Sequence, residues 1–187
     1  MKDKLRRELI KLKNNLSKSE LLEKSNIIKK RLFEMNEFKQ ASTILFYISY
    51  DNEVHTHNMI KESMSNRKKI IVPITDKDNK KLLLSELKNW NDLSHGAYNI
   101  LEPRKECIIE VSLDSIDLIL VPGIGFDKHG HRIGHGGGYY DKLLENATAQ
   151  SIGLAFHLQV LDKIYVEKHD VSIHKIITEK EIIYCKH

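Results

Sequence analysis

The chain has 187 residues, 41% hydrophobic and 30% charged, with a formal net charge of +4. That is enough apolar material for one domain with a real core, and no run approaches the ~20 apolar residues of a membrane span. Two isolated cysteines, Cys107 and Cys185, suggest neither a disulfide framework nor a zinc site, and the charged start MKDKLRRELIKLK lacks a signal peptide's apolar segment, so the expected setting is cytoplasmic.

Residues 1–31 carry eleven Lys/Arg against four Asp/Glu. Such a basic segment suits nucleic acid, a membrane surface or a phosphorylated ligand, and equally the solvated face of a helix. Leu5, Leu9, Leu12 and Leu16 recur at helical spacing and predict a first amphipathic helix. Ser17-x-x-Glu20 is a capping box that starts a second helix running to about Phe33, with Leu21, Leu22, Ile28 and Leu32 on its apolar side. Residues 43–48 (TILFYI) read as a buried strand, 56–64 as a short helix, and 69–73 and 81–86 as strands. Residues 89–111 show little periodicity and read as loop. A short apolar run ended by proline at 116–122 (IDLILVP) predicts another buried strand. A helix is expected from Tyr139, then late strands at 151–156, 174–178 and 182–185. Alternating strands and helices argue for one α/β domain over residues 1–187: a mostly parallel (mixed) central sheet flanked by helices, preceded by the amphipathic pair.

Seven of the nine glycines fall between Gly123 and Gly138. A strand, a glycine-rich loop and a helix start together form an anion-binding device, because free amides and the positive end of the helix dipole converge there. Lys128, His129, His131, Arg132 and His135 are interleaved with the glycines, which a spacer does not need. G-x-x-x-x-G-K-[ST] is absent, as is G-x-G-x-x-G after a strand, so neither standard nucleotide motif applies. Lys2 and Arg6, four apart on one helix face, could supply further cations. His129, His131 and His135, or His55 and His57, could be drawn as metal sets, but they have no evident rigid scaffold. Asp141 suits Mg²⁺ beside phosphate oxygens, and it also suits a plain helix N-terminal charge. Glu53, between strand and helix, is either a ligand contact or a first-turn carboxylate. Tyr98 either stacks on a flat heterocycle or covers a core edge.

PGIGFDKHGHRIGHGGGYYD (122–141) closely resembles the signature of the 5-formyltetrahydrofolate cyclo-ligase family, also called 5,10-methenyltetrahydrofolate synthetase. Lys2-x-x-Leu5-Arg6, Glu53-Val54-x-Thr56, Tyr98-Asn99-Ile100-x-Glu102-Pro103, Gly153-Leu154-Ala155-Phe156-x-x-Gln159, His169-Asp170 and Thr178-Glu179 match the family's other blocks in order. The resemblance implies an ATP- and Mg²⁺-dependent ligase that converts 5-formyltetrahydrofolate to 5,10-methenyltetrahydrofolate, ADP and phosphate. It implies ATP contacts from Lys2, Arg6, Arg132, Ile133, Gly134, His135, Gly136, Gly137, Gly138, Tyr139 and Tyr140. Lys2, Arg132 and Tyr140 would be catalytic, and Asp141 and Asp170 would hold Mg²⁺. Ile48, Glu53, Tyr98 and the stretch from His135 to Tyr139 would meet the folate.

The implied chemistry makes sense of these residue types. A formamide oxygen cannot leave as hydroxide, so its phosphorylation by ATP gives an N5-iminium phosphate, which N10 attacks as phosphate departs. Such transfer asks for positioning and charge neutralisation rather than a covalent nucleophile. Three residues depart from relatives: His135 where many carry Arg or an aromatic, Gly137 for the lysine of animal members, and Tyr165 for a common proline. A positive charge at His135 would exist only below a pKa near ~6.5. Rival readings are the same chemistry on a related pterin such as a formylated methanopterin, or a basic nucleic-acid-binding protein, although no nucleic-acid motif is present. The expected partners are a small reduced folate, with no nucleic acid and no membrane, and the expected assembly is a monomer or weak homodimer.

Overall fold

The computed structural model describes residues 2–96 and 99–186. It opens with helices α1 (Lys2–Asn14), α2 (Lys18–Glu34) and α3 (Asn36–Gln40). The predicted capping box is present: Glu20 N–H donates to Ser17 Oγ at 3.2 Å, and Ser17 N–H donates to the Glu20 carboxylate at 2.8 Å. These bonds satisfy amides that a helix start otherwise leaves orphaned, and so fix where α2 begins.

Seven strands form the main sheet: β1 (Thr43–Leu45), β2 (Lys69–Asp76), β3 (Lys81–Glu86), β6 (Leu118–Val121), β9 (Gln150–Leu154), β11 (Lys175–Ile177) and β12 (Ile182–Tyr184). Their order is β12-β11-β9-β6-β1-β2-β3. The strands from β11 to β2 run parallel, and β12 and β3 close the two edges antiparallel. The expected mostly parallel, mixed sheet is therefore the one observed. Side chains alternate at period two, so a strand covered on both faces must be apolar throughout. In β6, Leu118 and Leu120 enter the cluster with Ile28, Leu32 and Ile60 from α2 and from α4 (His57–Ser65). Ile119 and Val121 enter the opposite cluster with Leu143 and Leu144 of α5 (Tyr139–Glu145).

From β1 the chain winds through α4 to β2 and β3, then returns to β6 on the other side of β1. The direction of winding thus reverses between β1 and β6. Residues 46–56 leave one carboxyl end and residues 122–138 the other, opening the crevice where such sheets take ligands.

Four expectations are corrected. Within residues 89–111, expected as loop, β4 (Leu93–His95) and β5 (Leu101–Pro103) pair antiparallel; three-residue strands are too short to show a period. The glycine run is not one open loop either. It contains the hairpin β7 (Gly125–Asp127) and β8 (Arg132–Ile133), joined by β10 (Val160–Leu161) in a second sheet. The fully buried Asp127 carboxylate closes this hairpin by accepting from the amides of His129, His131 and Ile164 at 2.9, 3.0 and 2.9 Å. Finally, Leu12 and Leu22, placed on buried faces by periodicity, are 49% and 48% exposed. Helix α1 instead docks through Leu9 on Ile124, Ile133 and Ile164 of the hairpin layer, and that rotates Lys13 inward. The predicted strand at 43–48 is also shorter, ending at Leu45. Beyond it Phe46 N–H still donates to Ile71 O at 2.9 Å, so the chain stays extended toward the crevice.

Candidate active site

A cavity of about 640 Å³ occupies the crevice. Its lining includes Lys2 and Arg6 from α1, Ile48 and Glu53 from the segment after β1, the run Arg132–Tyr140, Asp141 and Asp170. Those are all the residues to which the family resemblance gives a role, except Tyr98, which lies outside the described residues. A shallower depression of about 380 Å³, lined by Arg31, Glu34, Glu37 and Lys175 among others, contains none of them.

One wall is ionic. Arg132, 7% exposed, donates to Val171 O at 2.6 Å and to Asp141 Oδ1 at 2.7 Å, and Val171 N–H donates to the same oxygen at 3.2 Å. Burial lowers the guanidinium's pKa, against the opposing pull of Asp141. Lys2 Nζ lies 2.6 Å from Asp170 Oδ2 and 3.1 Å from Glu167 Oε2. Burial alone would lower the pKa of this ammonium, but the hydrogen bonds to Asp170 and Glu167 win and raise it. The same contest holds Asp170 below the usual carboxylate range: burial raises it, and the Glu167 amide and Lys2 more than offset that. Arg6 Nε donates to Gly134 O at 2.8 Å, tying α1 to the glycine run, while its guanidinium also pairs with Asp3. Gly136 (φ 97°) and Gly138 (φ 67°) adopt left-handed backbone that other residues resist. Gly138 is the N-cap of α5 and brings no side chain to its first amides.

The other wall is apolar and aromatic. Ile48 and Tyr47 are 4% exposed, and the Tyr140 hydroxyl is buried with no hydrogen-bond partner among the described residues. A buried hydroxyl left unpaired costs roughly 1–3 kcal/mol, so a ligand oxygen reaching it would regain that. Burial raises the Tyr140 pKa far enough that it remains a donor. Glu53 accepts from Tyr50 N–H at 3.2 Å, and burial pushes its carboxyl up to about 7 against the pull of that amide and of Lys13. Tyr50 Oη and His135 Nε2 are 3.0 Å apart, bridging the two loops at the mouth. Burial lowers the His135 pKa, and the charges of Lys13 and Arg6 lower it further. The cation expected at His135 below ~6.5 is therefore confined to more acidic pH.

The histidine alternatives do not form metal sites. His129 and His131 serve the Asp127 turn, with His131 Nδ1 at 3.1 Å from Asp127 Oδ2. His57 Nε2–H donates to Ser49 O at 2.8 Å, and its ring lies 4.9 Å from that of Trp90. The grouping of three potential ligand side chains among the described residues is Glu167, His169 and Asp170, on the ionic wall. Sequence reasoning did not identify Tyr47, Tyr50 or Glu167 as lining residues; the signal available was their closeness to Glu53 and Asp170. Of the remaining motif residues, Gln159 Nε2 donates to Gly123 O at 2.8 Å and Ile124 O at 3.0 Å, shaping the start of the glycine run. Glu102 accepts from Thr75 N–H at 2.9 Å and also lines the cavity.

Fold and cavity together define an α/β enzyme whose ligands enter at the carboxyl ends of parallel strands. The model of the 5-formyltetrahydrofolate cyclo-ligase family matches residues 1–179, and the chain belongs to that family. It is 28% identical over 181 residues to 5-formyltetrahydrofolate cyclo-ligase of Haemophilus influenzae, covering 94% of this chain and 96% of that protein. With the Saccharomyces cerevisiae protein of the same name identity is 31% over 201 residues, covering 94% of each chain. The structure of Aquifex aeolicus 5,10-methenyltetrahydrofolate synthetase superimposes with a TM-score of 0.88 at 28% identity, over 100% of this chain and 93% of the other. Among the described residues no helix is long and apolar enough to cross a membrane.

Proposed function

We propose that this cavity closes 5-formyltetrahydrofolate into 5,10-methenyltetrahydrofolate, with ATP activating the formyl oxygen, and that residues 1–187 act as one cyclo-ligase domain. The observation that carries the reading is the meeting, in one cavity, of an ionic wall and an apolar wall ending in a carboxyl of near-neutral pKa. The triphosphate lies along the glycine run, where Arg132, Lys2 and Arg6 supply the cations and Gly136–Tyr140 the backbone. Hard carboxylate oxygens at Asp141 and Asp170 fit Mg²⁺, whose preference is for oxygen ligands beside phosphate. When bound there, the ion would neutralise charge on the phosphate oxygens.

Each wall has its task. The cations of the ionic wall are held ready by their carboxylate partners and turn to the phosphate oxygens as charge develops on them. Ile48 and Tyr47 exclude water beside the pterin, and the Tyr140 hydroxyl donates to a ligand oxygen. Phosphorylation makes the formyl oxygen a leaving group; N10 then attacks the formyl carbon, Glu53 carboxylate accepts the N10 proton, and phosphate leaves with the oxygen. No covalent bond to the protein is required.

Incubation with 5-formyltetrahydrofolate tests this. The methenyl chromophore is expected to appear with Mg-ATP and not without it, and faster than from a formylated methanopterin. Product formed without nucleotide, or a preference for the methanopterin, would overturn the reading. Of the basic N-terminal residues, Lys2 and Arg6 are turned to the cavity and Lys13 is buried.

A further inference from the structure

Residues 134–138, between β8 and α5, read Gly-His-Gly-Gly-Gly, so the backbone given to the triphosphate carries one side chain, that of His135. Glycine loses more freedom on ordering than any other residue, and a run of it keeps one shape only where something outside holds it. Two such holds are present among the described residues. Arg6 Nε of α1 donates to Gly134 O at 2.8 Å. The second is a contact between side chains: Tyr50 Oη and His135 Nε2 lie 3.0 Å apart, and the two ring centres 5.7 Å apart. Elsewhere the run has space around it, with no atom within 4 Å of where a Cβ would project from Gly134 or Gly138.

Tyr50 stands on the opposite side of the crevice, in the segment that follows β1, and that segment is tied down. Tyr50 N–H donates to the Glu53 carboxylate at 3.2 Å, and Asn52 Nδ2–H donates to Asn14 Oδ1 at 2.8 Å, clipping the segment to the end of α1. Burial and the carboxylates of Glu53 and Asp51 push the Tyr50 hydroxyl up to about 12, so it keeps its proton. A phenol both donates and accepts, and therefore pairs with either neutral tautomer of an imidazole. Both side chains line the cavity, and together they span its mouth from the loop given to the folate to the loop given to the triphosphate. A single hydrogen bond within reach of water adds little to stability and can open and close as ligands pass.

We propose that Tyr50 is a positioning residue whose clasp on His135 shuts the mouth over the phosphorylated substrate, so that N10 and not water takes the activated carbon. This rests on the reaction given above. The iminium carbon is open to two nucleophiles. Attack by N10 closes the ring and expels phosphate. Attack by water forms a new C–O bond at the same carbon and breaks the C–O bond to phosphate, which leaves with the original formyl oxygen while the protons of the water pass to phosphate and solvent. That second course returns 5-formyltetrahydrofolate carrying the oxygen of water, and its net result is hydrolysis of one ATP. Closing a site over a reactive intermediate is what suppresses such loss.

The test uses the full chain in H₂¹⁸O and reads two quantities, ADP released per methenyl product and ¹⁸O in the 5-formyltetrahydrofolate recovered. The parent should give one ADP per product and unlabelled recovered substrate. Tyr50→Phe, which keeps the ring and removes one oxygen, should raise the ratio about twofold or more and place ¹⁸O in the recovered formyl group. His135→Ala should do the same, and the double variant should go no further than either alone. His135→Gln, whose amide still pairs with a phenol, should stay near the parent ratio. The ratio is a partition at one intermediate, so a general loss of stability or affinity slows turnover without moving it. An unmoved ratio in Tyr50→Phe, a ratio that rises without label in the formyl group, or additive effects in the double variant would overturn the proposal. A parent that forms no methenyl product with Mg-ATP would instead refute the cyclo-ligase reading, and the clasp's task with it.

Discussion

On one side of the cavity Arg132 is clasped by Asp141 and the Val171 carbonyl, and Lys2 by Asp170 and Glu167; on the other, the half-buried Glu53 accepts from one amide and has no ion pair among the described residues. Both sides bury charge, yet the outcome differs. Lys2 and Asp170, each with a partner in contact, are driven further into their ionised forms, whereas burial lowers the pKa of the more deeply buried Arg132 even against Asp141. Where the carboxyl of Glu53 is met, among the described residues, only by the Tyr50 amide, burial wins and pushes it up to about 7. Burial therefore does not set a protonation state by itself; a touching counter-charge can outweigh it, as at Lys2 and Asp170, and without one burial wins, as at Glu53. A reaction that moves phosphate on one side and a proton on the other needs one wall of each kind.

The largest expected effect breaks the ionic wall. Arg132→Gln should lower kcat/KM by about 10²–10³, the usual cost of losing one transition-state charge donor. It should also lower Tm, because it leaves Asp141 unpaired. Adding Asp141→Asn should recover part of the Tm and none of the rate. Strictly additive Tm losses would show that the pair is not coupled.

Glu53→Gln probes the opposite wall and should cost tenfold or more in rate at neutral pH. Its stability effect has a definite sign. A carboxyl whose folded pKa is raised from 4.5 to about 7 stabilises the fold below the unfolded value, and that advantage is lost as pH rises through the folded one. The variant should thus gain up to roughly 3 kcal/mol relative to the parent near pH 8 and little near pH 4. Thermal melts at the two pH values decide it; a gain confined to acid would contradict the unpaired-carboxyl account. A smaller effect is expected from Tyr140→Phe. KM for the folate should rise about 5–20-fold while Tm holds or rises slightly, since no protein hydrogen bond is lost. A large fall in Tm would show that the hydroxyl has a structural partner. The smallest effect lies outside both walls: Ser17→Ala should cost ~1 kcal/mol, or about 2–4 °C in Tm, with turnover unchanged.

Much of this was legible in the chain. The capping box at Ser17 and Glu20, the doubly apolar run of β6 and the start of α5 after the glycines follow from local rules, and the structure shows them where expected. The composition of the glycine run directed attention to the crevice that Lys2, Arg6 and Arg132 line. Two kinds of feature were not legible. The hairpin of β7 and β8 is too short for a period and depends on Asp127, a carboxylate buried by tertiary contacts with Ile164, 37 residues away in sequence. The orientation of α1 likewise depends on the surface it meets, so a leucine stripe that included Leu12 could not foretell that Lys13 would turn inward. Periodicity reports which face is apolar on average; it does not report where a charge is wanted inside.

The central claim is that the cavity turns the formyl oxygen into phosphate oxygen. Turnover of substrate carrying ¹⁸O in the formyl group, followed by mass analysis of the inorganic phosphate, addresses it directly. The account predicts one ¹⁸O in each phosphate released with the methenyl product. Label recovered in water, with unlabelled phosphate, would contradict it.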